Sequence, residues 1–362
     1  MIKNKLFNSL SLLSVSVVIF IILALLMYTG IIGEYYGQLF VNAGIYIIVA
    51  LSLNLITGFT GQLALGQAGF MSVGAYTTAI CIMRGGLPLL PSILVGGLFA
   101  AAAGVIIGIP TLRLRGDYLA ITTLGFAEII RVIMINLEVL TGGAAGLKGV
   151  PSFSNTGDFV LDLIIKFAWI YSFVILTIVL VSNLIRSSTG RAIISIREDE
   201  IASNAMGINV AYYKVFSFTV SAFIAGVGGG LYAIVFGYLN PVMFGFMNSI
   251  NFVVIVVLGG MGSITGTILS GVGFTFVQEW LRQFQDFRLV IFGFVLIFAM
   301  LFWRKGLMGS SEISVVQTIK NLMEGQYTPS NIYSRVSVRF RKKSKGVAEQ
   351  STENHRKDKE VK

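Results

Sequence analysis

Long apolar runs, separated by short polar or glycine-rich links, fill the chain from about residue 8 to residue 303. Several exceed the ~18 residues that mark a membrane-spanning helix. Hydropathy with Gly and Pro punctuation predicts ten segments, 8–28, 37–57, 62–82, 88–109, 118–137, 163–185, 212–236, 247–261, 263–281 and 288–303. The pattern breaks conspicuously once. GRAIISIREDEIASNAMGINVAYYK, residues 190–214, places an Arg-Glu-Asp-Glu run between two apolar segments.

Composition agrees with this pattern. Of 362 residues, 55% are hydrophobic and 12% charged, and the mean hydropathy is +0.82, whereas a soluble domain carries about 25% charged residues. The expected fold is an all-α integral membrane protein, a polytopic helical bundle of about ten spans. Leu6 to Tyr28 follows Lys3 and Lys5 in the manner of a signal peptide. It is longer than the ~7–15-residue apolar core of one, and no small-x-small site closes it, so it is read as a retained first span.

Basic residues set the expected orientation. Lys3 and Lys5, Arg113 and Arg115, Arg186, Arg191, Arg197 and Lys214, and the tail from Arg304 all fall on one face if the spans are even in number. That face is read as the cytoplasm. Glu34, Glu138, Asp158 and Asp162 fall on the other. The expected organisation is a cytoplasmic segment 1–7, a permease domain 8–303 with a cytoplasmic loop 186–213, and a basic tail 304–362, expected to be disordered. The tail holds 13 Lys and Arg against 6 Asp and Glu, +7 of the chain's +10. Its RFRKKSK run (339–345) has the charge to touch anionic lipid, but a solvated end obeying the positive-inside rule is the favoured account.

Two stretches share a theme. GFTGQLALGQAGFMSVGAY (58–76) and VLGGMGSITGTILSGVGF (257–274) are apolar, dense in glycine and preceded almost directly by another span. Close helix packing explains any single glycine, while short, Gly-interrupted segments in matching halves point to a transport pathway. Asn54, Gln62 and Gln67 lie in or beside the first stretch, and Glu128 stands in the fifth segment with Arg131 three residues on. Glu279 and Arg282 repeat that spacing, which favours neutralising pairs on one helix face.

Catalytic chemistry is excluded by what the chain lacks. Cys81 is the sole cysteine and His355 the sole histidine, so no intrachain disulfide, His/Cys metal cluster or His-based catalysis is available. No GxxxxGK[ST] occurs, and GGAAGLKG (142–149) lacks both its spacing and its Ser/Thr.

Within 190–214, Ile193, Ile194, Ile201, Ala202, Ala205 and Met206 follow helical spacing, with Ile196 partly off that face. Arg197, Glu198, Asp199, Glu200, Ser203 and Asn204 form a polar face, and Gly207 is a C-terminal stop. Asn209 is placed to cap the following span. The acidic run argues against an anionic lipid surface and for a protein partner.

These pieces, with PTLRLRGDYLAITTLGFAEIIR (110–131) and TGGAAGLKGVP (141–151), resemble the branched-chain amino acid permease family of ABC importers, LivM-type subunit. The resemblance covers most of residues 40–305 and leaves the tail beyond about 310 unaccounted for. It implies a type II ABC importer-like fold with Gly-rich broken helices, in a multi-pass cell membrane protein with both termini cytoplasmic. It implies an ATP-driven alternating-access permease for branched-chain or related small amino acids; urea and short amides are carried by relatives. Arg197, Glu198, Asp199, Glu200, Ala205, Met206 and Gly207 are similar to a coupling helix that docks on an ATP-binding subunit. The implied partners are two such subunits holding ATP and Mg, a second permease subunit and an extracytoplasmic binding protein, for which the outward 138–162 loop is a candidate contact. No cofactor is expected on this chain and no nucleic acid among its partners. The expected pathway residues are Asn54, Gln62, Gln67 and Glu128. A stand-alone secondary transporter is the reading of another class, and its ion site would have to use Glu128, which Arg131 would hold charged.

Overall fold

The computed structural model describes residues 24–27, 29–30, 33–111, 114, 116–153, 157–287 and 293. Segments 1–7 and 304–362, Arg113, Arg115, and nearly all of 8–28 and 288–303 lie outside these.

Eight long helices stand where eight of the ten segments are expected. They are α1 (Glu34–Asn54), α2 (Gln67–Met83), α3 (Leu89–Thr111), α4 (Asp117–Asn136), α6 (Phe159–Arg186), α9 (Val210–Phe236), α10 (Phe246–Gly259) and α11 (Ile264–Trp280). Between them lie three short helices, α5 (Glu138–Thr141), α7 (Ser188–Glu198) and α8 (Glu200–Ala205). Among the described residues six spans are long and apolar enough to cross a membrane, formed by α1 with its extension to Phe59, α3, α4, α6, α9 and the stretch Pro241–Gly259. The 20 residues of α4 measure roughly 30 Å, the thickness of a bilayer's hydrocarbon core. α2 and α11, at 17 residues each, are shorter than a full span.

The chain is a polytopic helical bundle. The expected start of the third segment at residue 62 is wrong. After α1 the backbone widens into a π-turn, Leu55–Phe59, then runs without helix to Gly66, and α2 opens only at Gln67. Glycines at 58, 61 and 66 remove the bias toward a continuous helix, and Gly61 takes a left-handed φ of +74°. The break is the one expected of a Gly-interrupted segment, displaced by a turn.

Successive helices alternate in direction and their ends form two sets. At the loop end lie the 55–66 turn, α7, α8 and the 260–263 turn, where Arg197 reaches Gly58. At the hairpin end Arg84 bonds the Val139 carbonyl, and β1 (Leu147–Lys148) pairs antiparallel with β2 (Tyr238–Leu239). The expected outward loop is therefore folded in part against the 237–245 link. Exposed Tyr35, Tyr36 and Trp280 at this end, and exposed Tyr118 and Tyr212 at the other, suit the two interfacial belts of a membrane protein.

α1 is the central element, buried along nearly all of its second half. Beside it α2, α3 and α9 pack on one another until backbones touch. A Cβ at Gly74 of α2 would lie 2.1 Å from the Gly226 carbonyl oxygen of α9, and one at Gly229 would lie 2.0 Å from the Met71 carbonyl oxygen. Gly96 of α3 meets the Gly74 carbonyl in the same way, at 2.6 Å. Glycine density thus sets interhelix distance here. The outer flank of α3 (Leu94, Leu98, Phe99, Ile106) remains exposed and apolar, as a lipid-facing surface requires.

Gly74→Leu should therefore force the α2–α9 contact apart. Overpacking of this kind costs about 1–3 kcal/mol or more. The unfolding midpoint of the detergent-solubilised chain should fall by several degrees, whereas Gly125→Ala, where a Cβ meets nothing within 4 Å, should leave it nearly unchanged.

Candidate functional site: the charged loop and the glycine-rich turns

The loop between α6 and α9 is built by local rules. Ser187 caps α7 by accepting from the Gly190 amide at 3.2 Å. Gly190, Ala192, Ile193 and Ile196 of that helix are buried. The single amphipathic helix expected through Met206 is in fact two. Asp199 leaves helical geometry (φ −155°, ψ 113°) and its carboxylate accepts from the Ile201 and Ala202 amides at 2.9 and 3.0 Å. An Asp with this choice prefers capping a new helix to continuing the old one. The break turns the apolar residues apart: Ile193 and Ile196 pack inward, while Ile201 and Met206 are 75% and 83% exposed.

α8 ends where expected. Gly207 takes φ +83°, its amide donates to the Asn204 carbonyl, and the Ile208 amide donates to the Ser203 carbonyl. This is a Schellman arrangement, in which a left-handed glycine satisfies the last free carbonyls. Asn209 then caps α9 by accepting from the Tyr212 amide at 3.1 Å.

The Arg-Glu-Asp-Glu run is engaged within the chain more than it is displayed. Arg197 donates to the Gly58 carbonyl at 2.9 Å and to Glu198 at 2.7 Å. Glu200 pairs at 2.9 Å with Lys214 of α9, whose side chain is 9% exposed. Glu198, with 68% of its side chain exposed, and Ala205 join Ile201 and Met206 on the outer surface.

The four expected pathway residues do not gather in one place. Asn54 is fully buried and holds the second glycine-rich turn: its Nδ2 donates to the Ser263 carbonyl and Thr267 Oγ1, at 3.1 and 3.0 Å. Its Oδ1 accepts from the Gly262 amide at 2.8 Å. Gln67, also buried, donates to Ser52 and Ser221, joining α1, α2 and α9, and its Oε1 has no partner among the described residues. Gln62 lines a small pocket at the loop end with Thr111, Leu114, Leu119, Lys214 and Phe218. Glu128 binds Arg131 at 2.6 Å on α4, both partly exposed. Both expected i, i+3 pairs are formed, that of Glu279 with Arg282 at 3.2 Å.

Residues 35–300 match the family described as branched-chain amino acid transport system, permease component. The chain belongs to that family. It is 37% identical over 287 residues to the high-affinity branched-chain amino acid transport permease LivM of Escherichia coli K12, covering 73% of this chain and 68% of that protein. The permease BraD of Pseudomonas aeruginosa is 27% identical, over 75% of this chain and 94% of its own length. LivH of Escherichia coli K12 is 25% identical, over 75% and 93%. These identities make this family member LivM-type. No solved structure matches the chain significantly.

In this permease, sequence reasoning missed the partners that make the loop rigid. Nothing in a linear pattern joins Arg197 to Gly58, and Glu200 and Lys214 are too far apart for a helix-spacing rule. The one available signal was Lys214 itself, a lysine at the mouth of an apolar span.

Removing one partner from a fully buried ion pair costs about 3–5 kcal/mol. Glu200 keeps 29% of its side-chain exposure, so Glu200→Gln should cost nearer ~2 kcal/mol. The double variant Glu200→Gln/Lys214→Met should recover part of that, because the stranded charge is gone. Denaturation of the purified chain in detergent reads both.

Proposed function

We propose that this chain is the permease subunit of an ATP-driven importer for branched-chain or related small amino acids. Family membership supports the substrate class, as the names of its relatives do. The observation that carries the energy source is the loop: an exposed apolar knob, Ile201 and Met206, on a short helix held by caps and an ion pair to α9. Such a surface is suited to docking in a cleft of an ATP-binding subunit, which holds the nucleotide and its Mg. Glu128, the carboxylate a stand-alone carrier would need as its ion site, is already paired with Arg131 at 2.6 Å.

In this reading the loop end is cytoplasmic and both termini lie on that side of the cell membrane. The hairpin end receives substrate from an extracytoplasmic binding protein, and a second permease subunit completes the pathway. Glu198, Ala205, Ile201 and Met206 make the docking surface; Asp199, Glu200 and Gly207 hold it in shape, and Arg197 ties the loop to the 55–66 turn. Alternating access follows from movement of that surface, and Asn54, Gln62, Gln67 and Glu128 are the pathway candidates.

The test is a complex of this chain with its ATP-binding and permease partners, reconstituted in vesicles. ATP-dependent uptake of labelled leucine or valine is expected, and uptake that ignores ATP but follows an ion gradient overturns the reading. Ile201→Asp with Met206→Asp forces charges into the docking surface. Recovery of the ATP-binding subunits with the permease should drop by about tenfold or more, since each 1.4 kcal/mol is a factor of ten.

A further inference from the structure

Arg197 sends its head group to the 55–66 turn, with 32% of its side chain left exposed. It stands in the last turn of α7, and Nε and Nη2 both donate to Glu198 Oε1, at 3.2 and 2.7 Å. A carboxylate held this way neutralises the guanidinium and fixes its plane. Nη1 is left to donate to the Gly58 carbonyl at 2.9 Å. That carbonyl closes the helical run from α1 through its π-turn, where backbone acceptors lack helical partners and the helix dipole favours a cation.

Backbone of both turns approaches the side chain closely. A Cβ at Gly61 would lie 2.8 Å from Arg197 Cγ, and one at Gly262 would lie 3.0 Å from Arg197 Nη1. Both glycines have left-handed φ, +74° and +84°. A Cβ at Gly58 would lie 2.3 Å from the Gly262 amide nitrogen. One side chain thus meets the two glycine-rich turns where they meet each other, next to the Asn54 bonds that also join them. The loop has other anchors, in buried Ile193 and Ile196 and in the Glu200–Lys214 pair, so its attachment does not require this one.

We propose that Arg197 is a positioning residue that pins the 55–66 and 260–263 turns together and keeps the loop end of the bundle closed. Under the importer reading, on which this step rests, movement of the docked loop withdraws the guanidinium from Gly58 and allows the two turns to part. Arg197 is then the point at which loop movement becomes opening, separate from the residues that bind the ATP-binding subunit.

Two measurements test the pin. In the full chain with Cys81→Ser, a cysteine replacing buried Thr60 reports access to the junction by its rate of reaction with a maleimide. Arg197→Ala should raise that rate about tenfold, the scale of one lost bond to a charged group, and Arg197→Lys should give an intermediate rate. A second reporter, Ser270→Cys, is buried between α10 and α11, where its hydroxyl bonds the Ile255 carbonyl, and should stay slow throughout. An unchanged rate at Thr60→Cys, or acceleration at both reporters together, overturns the proposal. In the reconstituted complex, Arg197→Ala should lower amino acid uptake per ATP hydrolysed while the ATP-binding subunits still co-purify. Loss of those subunits would make Arg197 a docking residue and also overturns it. A wild-type complex without ATP-driven uptake would overturn the importer reading alone, and the labelling result would still decide the pin.

Discussion

A helix broken inside a membrane must satisfy its freed backbone groups within the protein, because lipid offers them nothing. The interruption between α1 and α2 is where this permease meets that demand, and much else is arranged around it. The Gly58 carbonyl is taken by Arg197, the Leu55 carbonyl by Thr60, and the Leu65 amide by Thr123 of α4. Each partner comes from a different part of the chain or turns back on the break itself. The charged loop is consequently part of how the break is tolerated, and its sequence answers to the bundle as well as to any partner.

Asn54 extends the same logic to the second glycine-rich turn. A single amide, with both its donor and acceptor ends used, holds Gly262, Ser263 and Thr267. In low-dielectric surroundings a fully satisfied polar group of this kind specifies one arrangement and makes alternatives costly. The two glycine-rich stretches, far apart in the chain, are by this means one structural unit.

The outline was legible because membrane helices announce themselves by length and hydropathy. The eight long helices fall close to the expected segments, apart from the late start of α2, and the signals at Gly207 and Asn209 are local rules that the chain obeys. Two kinds of information were not legible. Asp199 can sit in a helix or start one, and here its carboxylate takes the Ile201 and Ala202 amides, which leaves Ile196 buried on one side of the break and Ile201 exposed on the other. Arg197, Glu200 and Asn54 have partners fixed by tertiary packing, which no spacing rule contains. For the same reason polar residues that look alike in sequence, Asn54, Gln62 and Gln67, have three different surroundings.

The backbone contacts among α2, α3 and α9 also have a mechanical meaning. Where Gly74 faces Gly226 and Gly229 faces Met71, sliding one helix along another by a residue drives a side chain into a main chain. Shear between these helices is therefore blocked, and the three behave as a single stiff block. A displacement delivered at Lys214, in the first turns of α9, is not dissipated along that helix. It arrives at the far end of all three.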